Sequence, residues 1–559
     1  MRTEIFALRI AAQGLAGILV CSAVVATAQY RPSYSRTTTS AAKPGQYRIA
    51  GVLVNAATGE PVSRATVQAL EVADSHAVAL CMTDNEGNFA LTGLAAAKYQ
   101  LTASKRGFRT AFYDEHDEFS TAIVTGADQD TTHLEFKLTP GAVLHGVVTS
   151  DDGEPVANAR AMLFQRPKHP AQGTRTAQVD ATVTDDTGAY EFGELQAGEY
   201  LLAVMAEPWY AVHEGSVSRG SDDALTRLNP ALDVAYPVTY FDSTTEEESA
   251  TPLLLNGGAR VEANISLQAL PALHLSLGVP RKSNGSLARP ELQQVVFGNV
   301  VAAGSSGFQG ALQKGSVEMG GLAPGRYELT EGDPPRTTVL NLTSSQQVDP
   351  NAGSTELAVT GRLRMASGSP IPGDPTITLA RIDAGPGQSM YAAQAHRGQF
   401  TLDAVPAGQW AVMATAESAS IPVVAVALNG VQRAGNVVTF RDRAPDLIVT
   451  LSDADTRIEG FARENGKGLA GAMVVLLPEN PALWKALTRR DQSDSDGSFA
   501  LQNVAPGEYT LVAIKDGWSL DWTSPDAMAR YLPAGTSVTV TDKSGALMHL
   551  GSSVKVQTR

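Results

Sequence analysis

Ser493–Trp518 reads SDSDGSFALQNVAPGEYTLVAIKDGW, and its alternation decides the fold. Phe499 and Leu501 fall on one face of an extended chain. Ala505-Pro506-Gly507 supplies a turn, and Tyr509, Leu511 and Ala513 recur at every second position beyond it. Period two with one apolar face marks a half-buried strand, so the stretch predicts a β-hairpin that closes a sandwich.

The same grammar occurs four more times, as NEGNFALTGLAAAKYQL, DTGAYEFGELQAGEYLL, KGSVEMGGLAPGRYEL and RGQFTLDAVPAGQWAV. The interval from turn glycine to closing aromatic is 12 residues in every copy: Gly87 to Tyr99, Gly188 to Tyr200, Gly315 to Tyr327, Gly398 to Trp410 and Gly497 to Tyr509. Five equal intervals identify one repeated supersecondary unit. An aromatic in register with alternating apolar residues belongs to a core; the competing reading makes each one a ligand-stacking ring. Upstream lie first strands such as YRIAGVLVN, AVLHGVVTS, ELAVTGRLRM and TRIEGFARE. Gly-Glu-Pro-Val turns follow at Gly59–Val62 and Gly153–Val156, and second strands read RATVQAL and AGAMVVLL. Late strands such as HLEFKLTP and VEANISLQAL bring each unit to about seven strands per hundred residues, the pattern of a sandwich. The clearest helical segment is SPDAMARYL, with Ser524 as a cap and Pro525 in the first turn.

The chain has 559 residues, more than one core organises, and its 51 glycines and 30 prolines suit strands and turns. A formal charge of −15, spread without a basic block, argues against nucleic acid as a partner. Arg2 and Arg9 precede an apolar run from Ile10 to Ala26 ending in Ala26-Thr27-Ala28, the small-x-small pattern of signal-peptide cleavage, so the mature chain is expected to begin near Gln29. An uncleaved anchor is the alternative, although Gly14 and Gly17 interrupt the run. Val20 before Cys21 departs from a lipid-attachment site. Cleavage would leave Cys81 as the one cysteine and preclude an internal disulfide, and no second membrane segment is expected.

GEPVSRATVQAL with TDNEGNFALTGLAAAKYQL, GEPVANARAMLF with TDDTGAYEFGELQAGEYLL, and the opening stretch resemble carboxypeptidase regulatory-like domains. Copies three and four are weaker, because Leu312 and Ala395 replace the acidic residue found at Asp84, Asp185 and Asp494. The resemblance implies a transthyretin-like or carbohydrate-binding-like sandwich, Ig-like and non-catalytic, found in exported proteins of Gram-negative bacteria. It brings no catalytic residue.

A search for chemistry points the same way. The nine histidines are dispersed, without the paired spacing of a zinc site. The loop YDEHDEF offers Asp114, Glu115, Asp117 and Glu118 either to a divalent cation or to solvent, and Asp491, Asp494 and Asp496 before Gly497 suggest either a calcium loop or a turn. No nucleophile elbow or phosphate-binding loop occurs. What remains is binding. Trp209-Tyr210 follows the closing strand of copy two, and Trp518 and Trp522 flank Asp521 after that of copy five; each cluster either stacks a sugar or packs between modules.

The expectation is therefore an all-β tandem of Ig-like or transthyretin-like sandwiches, arranged as beads on a string. A signal peptide (1–28) and flexible leader (29–46) precede modules at 47–140, 141–270, 271–356, 357–453 and 454–559, the third and fourth divergent. Its expected function is non-catalytic binding outside the cytoplasm, in the periplasm, at the outer surface or in the medium. A carbohydrate or cell-envelope glycan is the first ligand class, with an envelope protein as the other partner. A structural spacer or assembly subunit is the alternative, and an unrecognised hydrolase the third reading. Neither cofactor nor metal is called for, and the oligomeric state stays open.

Overall fold

A computed structural model describes residues 45–166, 176–213, 229–278, 290–301, 311–313, 316–331, 336–348, 356–382, 390–416, 419–441, 445–453, 456–541 and 546–559. The expected signal peptide, its alternative as an anchor, and the leader up to residue 44 lie outside these residues, as does Gly315. The protein is all-β, a tandem of Ig-like sandwiches. Its two described α-helices have four residues each. One of them is Pro525–Met528, where the Ser524 hydroxyl accepts the amide of Ala527. Among the described residues no helix is long and apolar enough to cross a membrane.

One topology repeats five times. The first strand of each unit lies between an antiparallel neighbour, the strand after the turn glycine, and a parallel one, the last strand. Tyr47–Asn55 lies between Asn88–Leu94 and Leu134–Leu138. Ala142–Ser150 lies between Ala189–Leu195 and the pair Arg260–Glu262 and Ile265–Leu267. Leu273–Gly278 is held by Ser316–Leu322 and Gln346–Val348, and Glu356–Met365 by Gln399–Pro406 and Asp446–Leu451. Thr456–Glu464 is flanked by Ser498–Val504 and by Leu547–His549 with Val554–Thr558. The four first strands quoted from the sequence form as read.

The expected hairpin is a β-arch instead. Ser498–Val504 pairs with the first strand, whereas Gly507–Lys515 pairs with Met473–Pro478 in the facing layer. The first copy does the same: Asn88–Leu94 joins Tyr47–Asn55, and Lys98–Ser104 joins Thr66–Glu71. Alternation reports that one face of each arm is buried. It does not distinguish arms that pair side by side from arms that face each other across the core, and here Phe499 and Leu501 meet Tyr509 and Leu511 in one cluster.

Every arch is tied by its closing aromatic. Tyr99, Tyr200, Tyr327 and Tyr509 donate their hydroxyls to the carbonyls of Ala95, Gln196, Ala323 and Ala505, at 3.2, 2.8, 2.8 and 2.7 Å. Trp410 donates its indole N–H to Pro406 at 3.3 Å. All five rings are buried, so each fills the core and donates to a carbonyl four residues upstream in the turn, that of Ala95 being shared with the Thr125 hydroxyl. The core reading of these aromatics follows from the burial and the bond together.

The described apolar residues gather in five principal cores, spanning 49–138, 142–267, 275–348, 357–451 and 458–556. Two further clusters coat the outside of sheets. Val296, Phe297 and Val301 cover the outer side of Met162, Phe164 and Leu201, while Trp518, Met528 and Tyr531 cover that of Met473, Val475 and Leu477. Met473–Pro478 is consequently buried along its whole length, where alternation predicted one buried face.

Candidate functional site

The sequence motifs singled out for chemistry converge on one place, where the segment 113–125 of the first module lies against the fifth. Tyr113 and Phe119 anchor this segment, Tyr113 edge-on to Phe136 in the first core and Phe119 against the outer cluster of the fifth module. Asp114 and Asp117 adopt the left-handed backbone conformation that short polar side chains tolerate, which bends the segment tightly.

Arg490 holds the acidic end. Its guanidinium donates to Asp117 at 3.2 Å and to Glu118 at 2.9 Å, and lies over the rings of Trp522 at 4.5 Å and Phe119 at 5.1 Å. The Arg490 side chain is 9% exposed and that of Asp117 is 16% exposed, so this pair is screened far less than a surface one. Glu118 is 62% exposed and contributes little. Gln492 holds the middle, donating to the Asp114 carbonyl at 2.5 Å and to the Thr121 hydroxyl at 2.8 Å. Thr121 in turn donates to the Asp114 carboxylate at 2.8 Å.

At the far end the contact becomes a backbone pairing. Ser495 N–H donates to Ala122 O at 2.9 Å, Val124 N–H to Ser495 Oγ at 2.8 Å, and Ala122 N–H to Asp494 Oδ1 at 3.1 Å. Lys98 Nζ lies 2.5 Å from Asp494 Oδ2 and donates to Ser498 Oγ at 2.8 Å. The equivalent carboxylates have a local job. Asp84 accepts the amides of Glu86 and Asn88, and Asp185 those of Thr187 and Ala189, each capping its own turn. In the fifth module Asp496 takes over, accepting the Ser498 amide at 2.9 Å, and Asp494 is released to reach the first module.

These bonds assign the acidic motifs. The triplet suggestive of a calcium loop is divided between jobs: Asp491 accepts the Ala500 amide at 2.6 Å, Asp494 binds Lys98, and Asp496 caps the turn. Burial pushes the Asp491 carboxyl up to about 6, against the pull of the Ala500 and Gln492 amides. Burial raises Asp494 too, opposed by Lys98. In YDEHDEF, Glu115 accepts the Phe112 amide and His116 approaches Gln492 at 3.2 Å, so these side chains face different partners rather than one centre. Among the described residues, Glu71, Asp74 and His76 are the group whose ligand atoms lie close enough to hold one ion.

The aromatic candidates separate. Trp518 is buried, donates its indole N–H to Gly471 O at 3.0 Å, and stacks on His116 at 5.1 Å with an interplanar angle of 11°. Trp522 lies under Arg490, and Asp521 accepts the amide and hydroxyl of Thr523 within its own turn. Trp209 is 85% exposed and meets Tyr210 edge-on at 5.8 Å. The structure therefore unites Trp518, Trp522 and the 113–125 segment, and leaves Trp209 and Tyr210 elsewhere on the surface. The seam's partners Lys98, Gln492 and Arg490 were missed, since no local motif marks residues whose partners lie 396, 378 and 373 positions away. Cys81 is half-buried on strand Ala77–Met82, where burial raises its thiol pKa.

Solved structures with some likeness include the TIE protein of Bacillus anthracis, at 12% identity over 70% of this chain and 68% of that one, with a TM-score of 0.16. A streptococcal ancillary pilin aligns at 13% identity over 54% of this chain and 98% of its own, with a TM-score of 0.18. The major pilin subunit of Bacillus cereus aligns at 13% identity over 74% and 98%, with a TM-score of 0.13. No curated protein matches the chain. Residues 48–139 match the model of the carboxypeptidase regulatory-like domain, the family that GEPVSRATVQAL and TDNEGNFALTGLAAAKYQL resemble.

Proposed function

We propose that the protein is a non-catalytic, exported interaction or assembly subunit, a scaffold of five sandwich modules bounded as 47–140, 141–270, 271–356, 357–453 and 454–559. The observation that carries this reading is the seam. Asp117, Glu118 and Asp494, together with Trp518 and Trp522, residues well suited to chemistry or ligand stacking, are engaged in holding the first module to the fifth. Such a use favours a mechanical role over a binding groove at Trp518. In vivo photo-cross-linking from the exposed Leu80 and Trp209 positions tests it in the native envelope. Defined envelope adducts are expected from a chain that has lost its first 28 residues. A chain recovered intact from Met1 in the cytoplasm would contradict it.

Glycan binding is the second reading, and the exposure of Trp209 beside Tyr210 favours it at that surface. A polysaccharide pull-down with wild type and Trp209→Ala checks it. Binding lost only in the variant supports a sugar site there, and a wild type that retains no glycan removes the reading.

A further inference from the structure

We propose that the seam is also a self-association surface, on which the 113–125 segment of one copy seats on the fifth module of a second copy. This deepens the assembly reading and rests on it, naming the partner as the same chain.

Three observations lead there. The two halves of the seam differ from each other and sit at opposite ends of the tandem, the geometry of a heterologous contact rather than of a self-complementary patch. Each half belongs to a module with its own core, so separation leaves both intact. Opening the seam would uncover Trp518, Phe119 and Trp522 together, an aromatic patch that needs a cover. A second copy offers that cover without a new contact, because every hydrogen bond and ion pair of the closed chain re-forms between chains. Only effective concentration then separates the two states. Tethering favours the closed chain in dilute solution, and dense packing favours exchange.

Charge reversal tests this with full-length chains. One chain carries Arg490→Glu, the other Asp117→Arg with Glu118→Arg, and like charges oppose seam closure within either chain. Between them both seams are complementary again, one in wild-type form and one reversed. Light scattering is expected to give monomers for each chain alone and twice the monomer mass for the equimolar mixture. All three changes placed in one chain should close the reversed seam within that chain and give a compact monomer. A mixture that stays at monomer mass overturns the proposal.

The Arg490→Glu chain has to fold, so a second arm avoids it. Ala122→Cys in one chain and Ser495→Cys in another, each with Cys81→Ser, place the thiols at the backbone pairing. At the high protein concentration that favours exchange, oxidation should produce a cross-linked dimer from the mixture and not from either chain alone; its absence there overturns the proposal and decides the matter if Arg490→Glu does not fold. Failure of both arms would leave the envelope adducts at Leu80 and Trp209 unaffected, so the assembly reading is judged separately.

Discussion

Lys98 and Asp494 are 396 residues apart in the chain, yet Nζ and Oδ2 meet at 2.5 Å. Asp494 occupies the position at which Asp84 and Asp185 cap their own turns. The fifth copy of the repeat has thus kept the residue and changed its partner, with Asp496 taking the local role. A repeated turn has become a joint between distant modules.

Arg490 is the side chain on which that joint depends most. Arg490→Ala removes the guanidinium from Asp117, from Glu118 and from the faces of Trp522 and Phe119. We expect the closed seam to lose about 2 kcal/mol, roughly a thirtyfold shift toward the open chain. Small-angle scattering should record a larger radius of gyration than wild type, and wild type should keep its smaller radius at high salt, because the Arg490–Asp117 pair is shielded from solvent.

Tyr509→Phe deletes one hydroxyl and leaves the buried Ala505 carbonyl without its 2.7 Å donor. The cost should be about 1–2 kcal/mol, read as a lower urea midpoint for the fifth module. Tyr99→Phe, whose bond is 3.2 Å, should cost less. Equal stability of Tyr509→Phe and wild type would show that the aromatics act by packing alone.

The five arches show how much of the fold was legible in the sequence. Period two located the strands around Phe499 and Tyr509, and the fixed interval to the aromatic revealed the repeat. The layer each arm joins was not legible, because facing and paired strands share one alternation. The whole-length burial of Met473–Pro478 was hidden for a related reason: the cover comes from Trp518, Met528 and Tyr531, supplied by a later segment. At the site, the sequence picked out Trp518 and YDEHDEF separately. Their meeting depends on tertiary structure that no local pattern encodes.

Asp491 gives the protein a pH dependence with a definite sign. Its carboxyl is pushed up to about 6 from an ordinary 3.8, so the folded state holds this proton more tightly than the unfolded one. Stability from this group is therefore fully present below the ordinary value and falls as pH rises through the window up to about 6. Asp491→Asn keeps an acceptor for the Ala500 amide and removes the buried charge. It should stabilise the protein at neutral pH by at most about 3 kcal/mol and show no benefit near pH 4. Urea midpoints of both proteins across pH 4–7 check this; a difference independent of pH contradicts it.

Module independence predicts that the fragment from Asp455 to Arg559 folds alone, since its core, from Ile458 to Val556, draws on its own strands. Circular dichroism should report β structure and urea a cooperative transition. The fragment should also bind an apolar dye more strongly than the full chain, because Trp518 loses the cover of His116 and Phe119.

The docking of the first module on the fifth is tested most directly by hydrogen exchange at the amides that cross the seam. Ser495 N–H donates to Ala122 O, and Ala122 and Val124 N–H donate to Asp494 and Ser495. In the full chain these three amides should exchange slowly. Ser495 should become fast in the isolated fifth module while the Leu511 amide, paired within its own sheet, stays protected. Fast exchange at all three in the intact protein would contradict the seam and the account built on it.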